Sequence, residues 1–228
     1  MQSELTDMLQ GASRVLAADG CELVGGQSAE AAEPSLAFAV TGLADPERLV
    51  RKSGLCPGNA LVLTKPLGSG IVLAGHMRGL ARTAWLQAAI AAMRKSNAEA
   101  ARILSQFGAT ACTGVNGLGL TGHLFEMLQA SAVAAVLWPD EVPALPGALE
   151  LAAHGVESAL APRNRKSLPG AGTDPRTALI VDPQTSGGLL AGIAAERTEA
   201  CAAALRRAGL AGTIIGVVES GEGTIHLN

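Results

Sequence analysis

The amino-acid sequence predicts a globular fold of mixed helices and strands in which a regular doubly wound sheet is not sustained. Three observations carry that expectation. Hydrophobic residues make up 48% of the 228-residue chain and mean hydropathy is +0.30, enough for one good core or a core plus part of another, because a domain usually takes ~100–200 residues. Apolar residues at helical spacing and short strand-like runs are interleaved along the chain. The later strand candidates follow one another largely without the crossover helices that a parallel sheet requires. Aromatic residues amount to only 2% and tyrosine is absent, so the core must be aliphatic, built from Leu, Val, Ile and much Ala.

Taken in order, Leu5, Met8, Leu9, Ala12, Val15 and Leu16 recur at helical spacing, and Gly20 stands where a helix C-cap would be. Leu36, Phe38 and Val40 alternate with Ala37, Ala39 and Thr41, which reads as a half-buried strand ending at Gly42. Residues 45–58, punctuated by Pro46, Gly54, Pro57 and Gly58, read as a linker. Strands are then expected over 60–63, 110–115, 134–138, 178–182, 187–193, 213–219 and 224–227, and helices over 83–94, 96–107, 121–130, 147–154 and 197–208. Ser96 and Glu99 fit a capping box at the start of the second of these helices. Residues 163–175 are polar and broken by Gly and Pro, hence loop.

A formal net charge of −3 with interspersed signs offers no basic surface for a nucleic acid backbone. No apolar run reaches the ~18–20 residues that span a bilayer, and MQSELTDMLQ lacks a basic signal-peptide start. The cytoplasm is therefore the expected location. Cys21, Cys56, Cys112 and Cys201 are far apart and form no metal-binding pair, so they read as reduced structural thiols. His76, His123, His154 and His226 converge on no recognisable signature.

Three glycine-containing motifs could carry chemistry. In Gly25-Gly26-Gln27-Ser28-Ala29-Glu30, paired glycines allow backbone amides to approach an anion and Glu30 could hold magnesium; a tight turn before a solvated acidic loop explains the same letters. Gly117-Leu118-Gly119-Leu120-Thr121-Gly122 satisfies a dinucleotide fingerprint, with Asp140 further on; a plain glycine-rich helix entry is the alternative. Asp182-Pro183-Gln184-Thr185-Ser186-Gly187-Gly188 makes a turn rich in donors, with Gln184, Thr185, Ser186 and Gly187 able to face an anion; a turn capped by its own Asp and Thr side chains is equally compatible.

The ordered segments GGQSAEAAEPSLAFAVTGLADPERLVRKSG, PGNALVLTKPLGSGI, MRKSNAEAARIL, ACTGVNGLGLTGHLFEML and LIVDPQTSGGLL resemble the selenophosphate synthetase (selenide, water dikinase) family over nearly the whole chain. The resemblance implies an α+β fold: the end of an N-terminal ATP-binding, homodimer-forming domain over residues 1–50, then a C-terminal α/β sandwich of the aminoimidazole-ribonucleotide synthetase type over 57–228. It implies ATP, Mg2+ and selenide as cofactor and substrates, with selenophosphate, AMP and orthophosphate as products. It assigns Gly25, Gly26, Gln27 and Ser28 to the ATP phosphates and Glu30 to the metal, and makes the Gly117 motif the family's own turn rather than a dinucleotide site.

The same resemblance places the nucleophilic Cys or Sec, its partner Lys, a glycine-rich loop and two metal-binding aspartates upstream of Met1. Two departures stand within the chain. A loop usually written GGHSID is GGQSAE, with Glu30 for aspartate, and TDVTGFG is TGVNGLG, with Gly114 for aspartate. A non-catalytic domain that binds an anion or a partner is therefore the alternative expectation.

Overall fold

A computed structural model describes residues 2–33, 35–170 and 172–228, and the chain divides into two compact units, Met1–Leu49 and Val50–Asn228. In the first unit, helix α1 (Gln2–Ala18) ends at Gly20, whose φ of 70° lets the Cys21 amide turn back to the Leu16 carbonyl at 2.8 Å. From Cys21 to Asp45 the described backbone is irregular, and a single 3-10 turn, Pro46–Arg48, follows, begun by the Asp45 carboxylate accepting from the Glu47 amide at 3.0 Å. The strand expected over residues 36–41 is not formed: Phe38 and Val40 are both exposed and no ladder is made there. Alternation marks a potential face, but a strand also needs a neighbour for its amides and carbonyls.

The second unit runs β1 (Ala60–Leu63), α2 (Ser69–Met77), α3 (Thr83–Arg94), α4 (Ala98–Gln106), β2 (Ala111–Gly114), α5 (Gly119–Ser131), β3 (Ala134–Leu137), α6 (Ala148–Ala153), α7 (Ala161–Asn164), α8 (Pro175–Val181), β4 (Leu189–Ile193), α9 (Ala195–Arg207), β5 (Thr213–Glu219) and β6 (Ile225–Leu227). The strands form one sheet in the order β2-β4-β1-β5-β3-β6. All neighbours are antiparallel except β3 and β6. Strands β2, β1 and β3 therefore point the same way with an antiparallel strand between each.

This order removes the dinucleotide reading of the Gly117 motif. In a doubly wound fold β2 and β3, joined through α5, would lie close together in a parallel sheet. Here β4, β1 and β5 separate them, and Asp140 belongs to a 3-10 turn after β3 rather than to a strand end beside the motif.

Strand alternation feeds two apolar layers. Leu61 and Leu63 of β1, with Leu190 and Ile215, face one layer against Ile71, Leu124 and their neighbours. Val62, Ala191 and Ile193 face the other, against Ile103, Leu104 and Leu205 of α4 and α9. The result is a sheet covered by helices on both sides, with an aliphatic core.

Three local expectations are corrected, and one helix, α2, forms where no element was expected. Residues 178–181 belong to helix α8, not a strand, and Asp182 is its extended C-cap: Asp174 caps the start by accepting from the Arg176 and Thr177 amides, both at 3.0 Å, and Pro175 fits the first turn. Its run Thr177–Val181 is buried throughout, and a helix buried on all sides has the same unbroken apolar pattern as a buried strand. Helix α2 forms where glycines at 70 and 75 obscured it. The segment 163–175 is not all loop, since it contains the end of α7 and a 3-10 turn, Arg165–Ser167. At α4, Ser96 accepts from the Ala98 amide at 3.1 Å, but Asn97 is the N-cap and Glu99 pairs with Arg102, so the capping-box geometry is not completed.

The core assignment makes a direct prediction. Leu63→Ala, at a fully buried β1 position, should lower unfolding free energy by about 2–5 kcal/mol in urea titration. Met77→Ala, at a position 80% exposed, should change it by no more than about 0.5 kcal/mol.

Candidate functional site

Helix α2 begins without a side-chain cap of its own: its N-cap is Gly68, at φ 114°. The amides of a first helical turn have no intrahelical acceptors and must find others when buried. They find them on the turn between α8 and β4, more than a hundred residues later. The Gln184 Oε1 accepts from the Gly68 amide at 3.0 Å, the Ser69 amide at 3.2 Å and the Ser69 hydroxyl at 3.1 Å. The Asp182 Oδ2 accepts from the Gly70 amide at 3.0 Å and from Gln184 Nε2 at 2.9 Å. The Thr185 amide donates in return to the Ser69 hydroxyl at 2.9 Å.

Gly70 is required by this approach. A Cβ there would stand 2.5 Å from both the Asp182 Oδ1 and the Pro183 carbonyl oxygen, far inside van der Waals contact.

The Gly117 motif joins the same place. The Gln184 amide donates to the Asn116 carbonyl at 2.9 Å, and Asn97 Nδ2 donates to the Gly187 carbonyl at 2.9 Å. Asn164, buried, donates to the carbonyls of Gly117 and Val181 at 2.9 and 3.0 Å. Lys65, also buried, donates to the carbonyls of Lys95 and Ser186 at 2.6 and 3.1 Å; burial, then the nearby Lys95 charge, lowers its pKa. Ser186 sits at φ 50° and its hydroxyl donates to the Met93 carbonyl at 2.7 Å. The segments TKPLGSG, VNGLG and DPQTSGG are thus brought together into one hydrogen-bonded joint.

The expected residues fall into two groups. Gln184 is buried with its amide turned inward onto α2 and Asp182, while Thr185 and Ser186 are exposed and Gly187 is half-buried. A groove of about 460 Å3 opens beside them, lined by Gly70, Met77, Arg78, Gly117, Leu160 and Thr185 among others. Gly25, Gly26, Gln27, Ser28 and Glu30 lie in the first unit on exposed, irregular backbone. Nothing lies within 4 Å of where a Cβ would stand on Gly25 or Gly26. Among the described residues no group of three or more His, Cys, Asp or Glu side chains could hold a metal ion.

Sequence reasoning missed Ser69, Asn116, Asn164 and Lys65 as members of the joint, although TKPLGSG and VNGLG contain three of them. Asp182 was expected only as a turn residue, and it is the buried carboxylate of the assembly. The four cysteines are free thiols as expected, and burial pushes the Cys112 thiol up to about 11, which leaves it unreactive near neutrality. No described helix is long and apolar enough to cross a membrane.

Gln184→Leu keeps the side-chain volume and strands the Gly68 and Ser69 amides in a buried joint. It should destabilise the protein by about 1–3 kcal/mol in denaturant titration and speed amide exchange at Gly68 and Ser69 first.

The sequence profile described as AIR synthase related protein, C-terminal domain, matches residues 56–228. The selenide, water dikinase of Caldanaerobacter subterraneus subsp. tengcongensis is 35% identical over 200 residues, 86% of this chain and 58% of that protein. That of Carboxydothermus hydrogenoformans is 32% identical over 227 residues, 97% of this chain and 66% of that protein. The chain thus spans about three-fifths of the length of these relatives. Among solved structures, thiamine-monophosphate kinase from Stenotrophomonas maltophilia superposes with a TM-score of 0.59 at 18% identity, covering 78% of this chain and 52% of that one. The hydrogenase maturation protein HypE superposes with a TM-score of 0.55 at 18% identity, covering 81% and 53%; at such identities the likeness is one of fold. The chain belongs to the selenophosphate synthetase (selenide, water dikinase) family of the AIR synthase superfamily, and residues 56–228 are its C-terminal domain.

Proposed function

We propose that this chain is part of a selenophosphate synthetase-like enzyme that uses ATP and selenide to make selenophosphate, AMP and orthophosphate. The observation that carries the reading is sequence identity of 32–36% with proteins named selenide, water dikinase, over 86–97% of the chain and across both units. A nucleotide substrate is further supported by proteins of the same fold solved with ligands: HypE with ATP, at TM-score 0.53, and ThiL with AMPPCP and TMP, at 0.51. Cytoplasmic location and a homodimer belong to the same proposal.

In this reading Gly25, Gly26, Gln27 and Ser28 approach the ATP phosphates through backbone amides, with open space around the Cβ positions of Gly25 and Gly26. Glu30 would supply one oxygen to magnesium, which demands about six; the described residues offer no group of three such ligands, so Glu30 alone would not make a site. Thr185, Ser186 and Gly187 present an exposed edge that an anion could approach, while Gln184 works behind them by holding the turn on α2. Catalysis of such phosphoryl transfer rests mainly on positioning and charge neutralisation, and a rigid turn suits that task. The second reading, a non-catalytic domain that binds an anion or partner, rests on Gly114 and Glu30 standing where the family usually has aspartate.

Two experiments test these assignments. The 228-residue chain by itself should form no AMP from ATP and selenide. Fused to the N-terminal third of the Carboxydothermus hydrogenoformans relative, it should form AMP and orthophosphate only when selenide is added. No turnover would favour the non-catalytic reading, and selenide-independent turnover would overturn selenide as the substrate. In the same fusion, Glu30→Gln should weaken magnesium-dependent binding of a non-hydrolysable ATP analogue about tenfold, the loss of one charged contact of about 1.5 kcal/mol. Glu30→Asp should bind at least as well as wild type and Glu33→Gln should match it, as titration calorimetry would read.

A further inference from the structure

Asp182 is completely buried, yet among the described residues no basic side chain pairs with it. Its Oδ2 is taken by the Gly70 amide and Gln184 Nε2, and its Oδ1 has no hydrogen-bond partner. The elements packed around it direct their charges elsewhere. Lys65, ahead of α2, is bonded to carbonyls of Lys95 and Ser186. His123 on α5 faces Glu126, and Arg176 on α8 faces Asp140 and the Val142 carbonyl. The turn that Asp182 anchors also carries Ser186 in a left-handed conformation, which a non-glycine residue keeps only when its surroundings hold it there.

We propose that the Asp182 carboxyl is a proton-operated latch: protonated, it keeps the 182–188 turn closed on the N-terminus of α2, and ionised, it releases that turn towards water. The empty Oδ1 is the place for the proton, so that Oδ2 stays free to accept from Gly70 and Gln184 in the closed joint. A buried, unpaired carboxylate is costly, and the closed joint shuts Asp182 off from water with Gly70 packed so near Oδ1 that an added Cβ would stand 2.5 Å from it. Burial pushes the carboxyl up to about 7, opposed by the amides of Ile71 and Gly70 and by Gln184.

The sign follows from linkage. The closed-state pKa lies above the ordinary carboxylate value of about 3.9, so the stabilisation is complete below that value and is lost as pH rises towards neutrality. The inference concerns the joint itself and holds whichever reaction the whole protein performs.

Amide exchange on the intact chain tests it, with rates corrected for the intrinsic effect of pH. From about pH 6 to about pH 8, protection at Gly68–Ile71 and 184–188 should fall about tenfold in the wild type, while amides of β1 change little. Asp182→Asn should abolish the difference. Equal protection at both pH values in the wild type would overturn the proposal, as would an unchanged pH response in the variant. Should the Asn variant fail to fold, the carbon-13 carboxyl resonance of Asp182 in the wild type decides: half-titration near neutrality supports the latch, and half-titration near pH ~4 overturns it.

Discussion

Helix α2 starts with a left-handed glycine and no capping side chain, and the organisation of the second unit around its glycine-rich motifs follows from that deficit. Its first amides are buried and must be satisfied, and the acceptors are supplied by Gln184 and Asp182 across a sequence separation of more than a hundred residues. Supplying them fixes the turn between α8 and β4, and that turn then carries Asn116, Asn97 and Lys65 with it. A network of this kind is stable only when nearly every member is paired. Of its described members, Asn97 Oδ1 and Asp182 Oδ1 are buried without a partner, and only the second belongs to a group that can take up a proton.

The sheet provides the frame that makes the joint possible. Strands β1 and β4 are antiparallel neighbours, pairing Leu63 with Leu190, so the end of β1 and the start of β4 lie at the same edge. The loop leading into α2 and the turn leading into β4 must therefore meet. Strand β2 pairs with β4 on its other side, Gly114 opposite Leu189, and delivers Asn116 and Gly117 to the same edge. Three segments far apart in sequence converge because strand order places their ends together, and small residues let their backbones touch. Gly188, packed 2.7 Å (as an added Cβ) from the Lys65 amide nitrogen, shows how little room remains.

The two candidate regions differ in what their own structure supports. The turn at 182–188 is held by hydrogen bonds to three other segments, through Lys65 and Ser69, Asn97, and Asn116, so its geometry is preorganised before any ligand arrives, which is the condition for useful electrostatic positioning. The stretch Gly25–Glu30 is exposed, irregular backbone, with open space around Gly25 and Gly26. Its assigned chemistry depends on the character of the residues, open glycines and one carboxylate, and on the family to which the chain belongs.

Local pattern in the sequence determined a good deal. Helices α1, α3, α5 and α9, strands β1 to β3 and β5, and the aliphatic nature of the core were legible because each depends on spacing of apolar residues within a few turns. The ordered motifs carried the family. Tertiary structure alone decided that residues 175–181 coil into a buried helix, since an apolar run has no period to read and the Asp174-Pro175 cap looks like a loop signal. It alone left 36–41 unpaired, because alternation cannot supply a neighbouring strand. It also decided that β2 and β3 stand three strands apart, which dismissed the dinucleotide fingerprint. Finally, it turned Gln184 from an outward donor into the cap of a distant helix and made Asp182 a buried acid. Burial and long-range pairing are properties of the assembled sheet edge, where the partners of each group come from segments that share no local sequence.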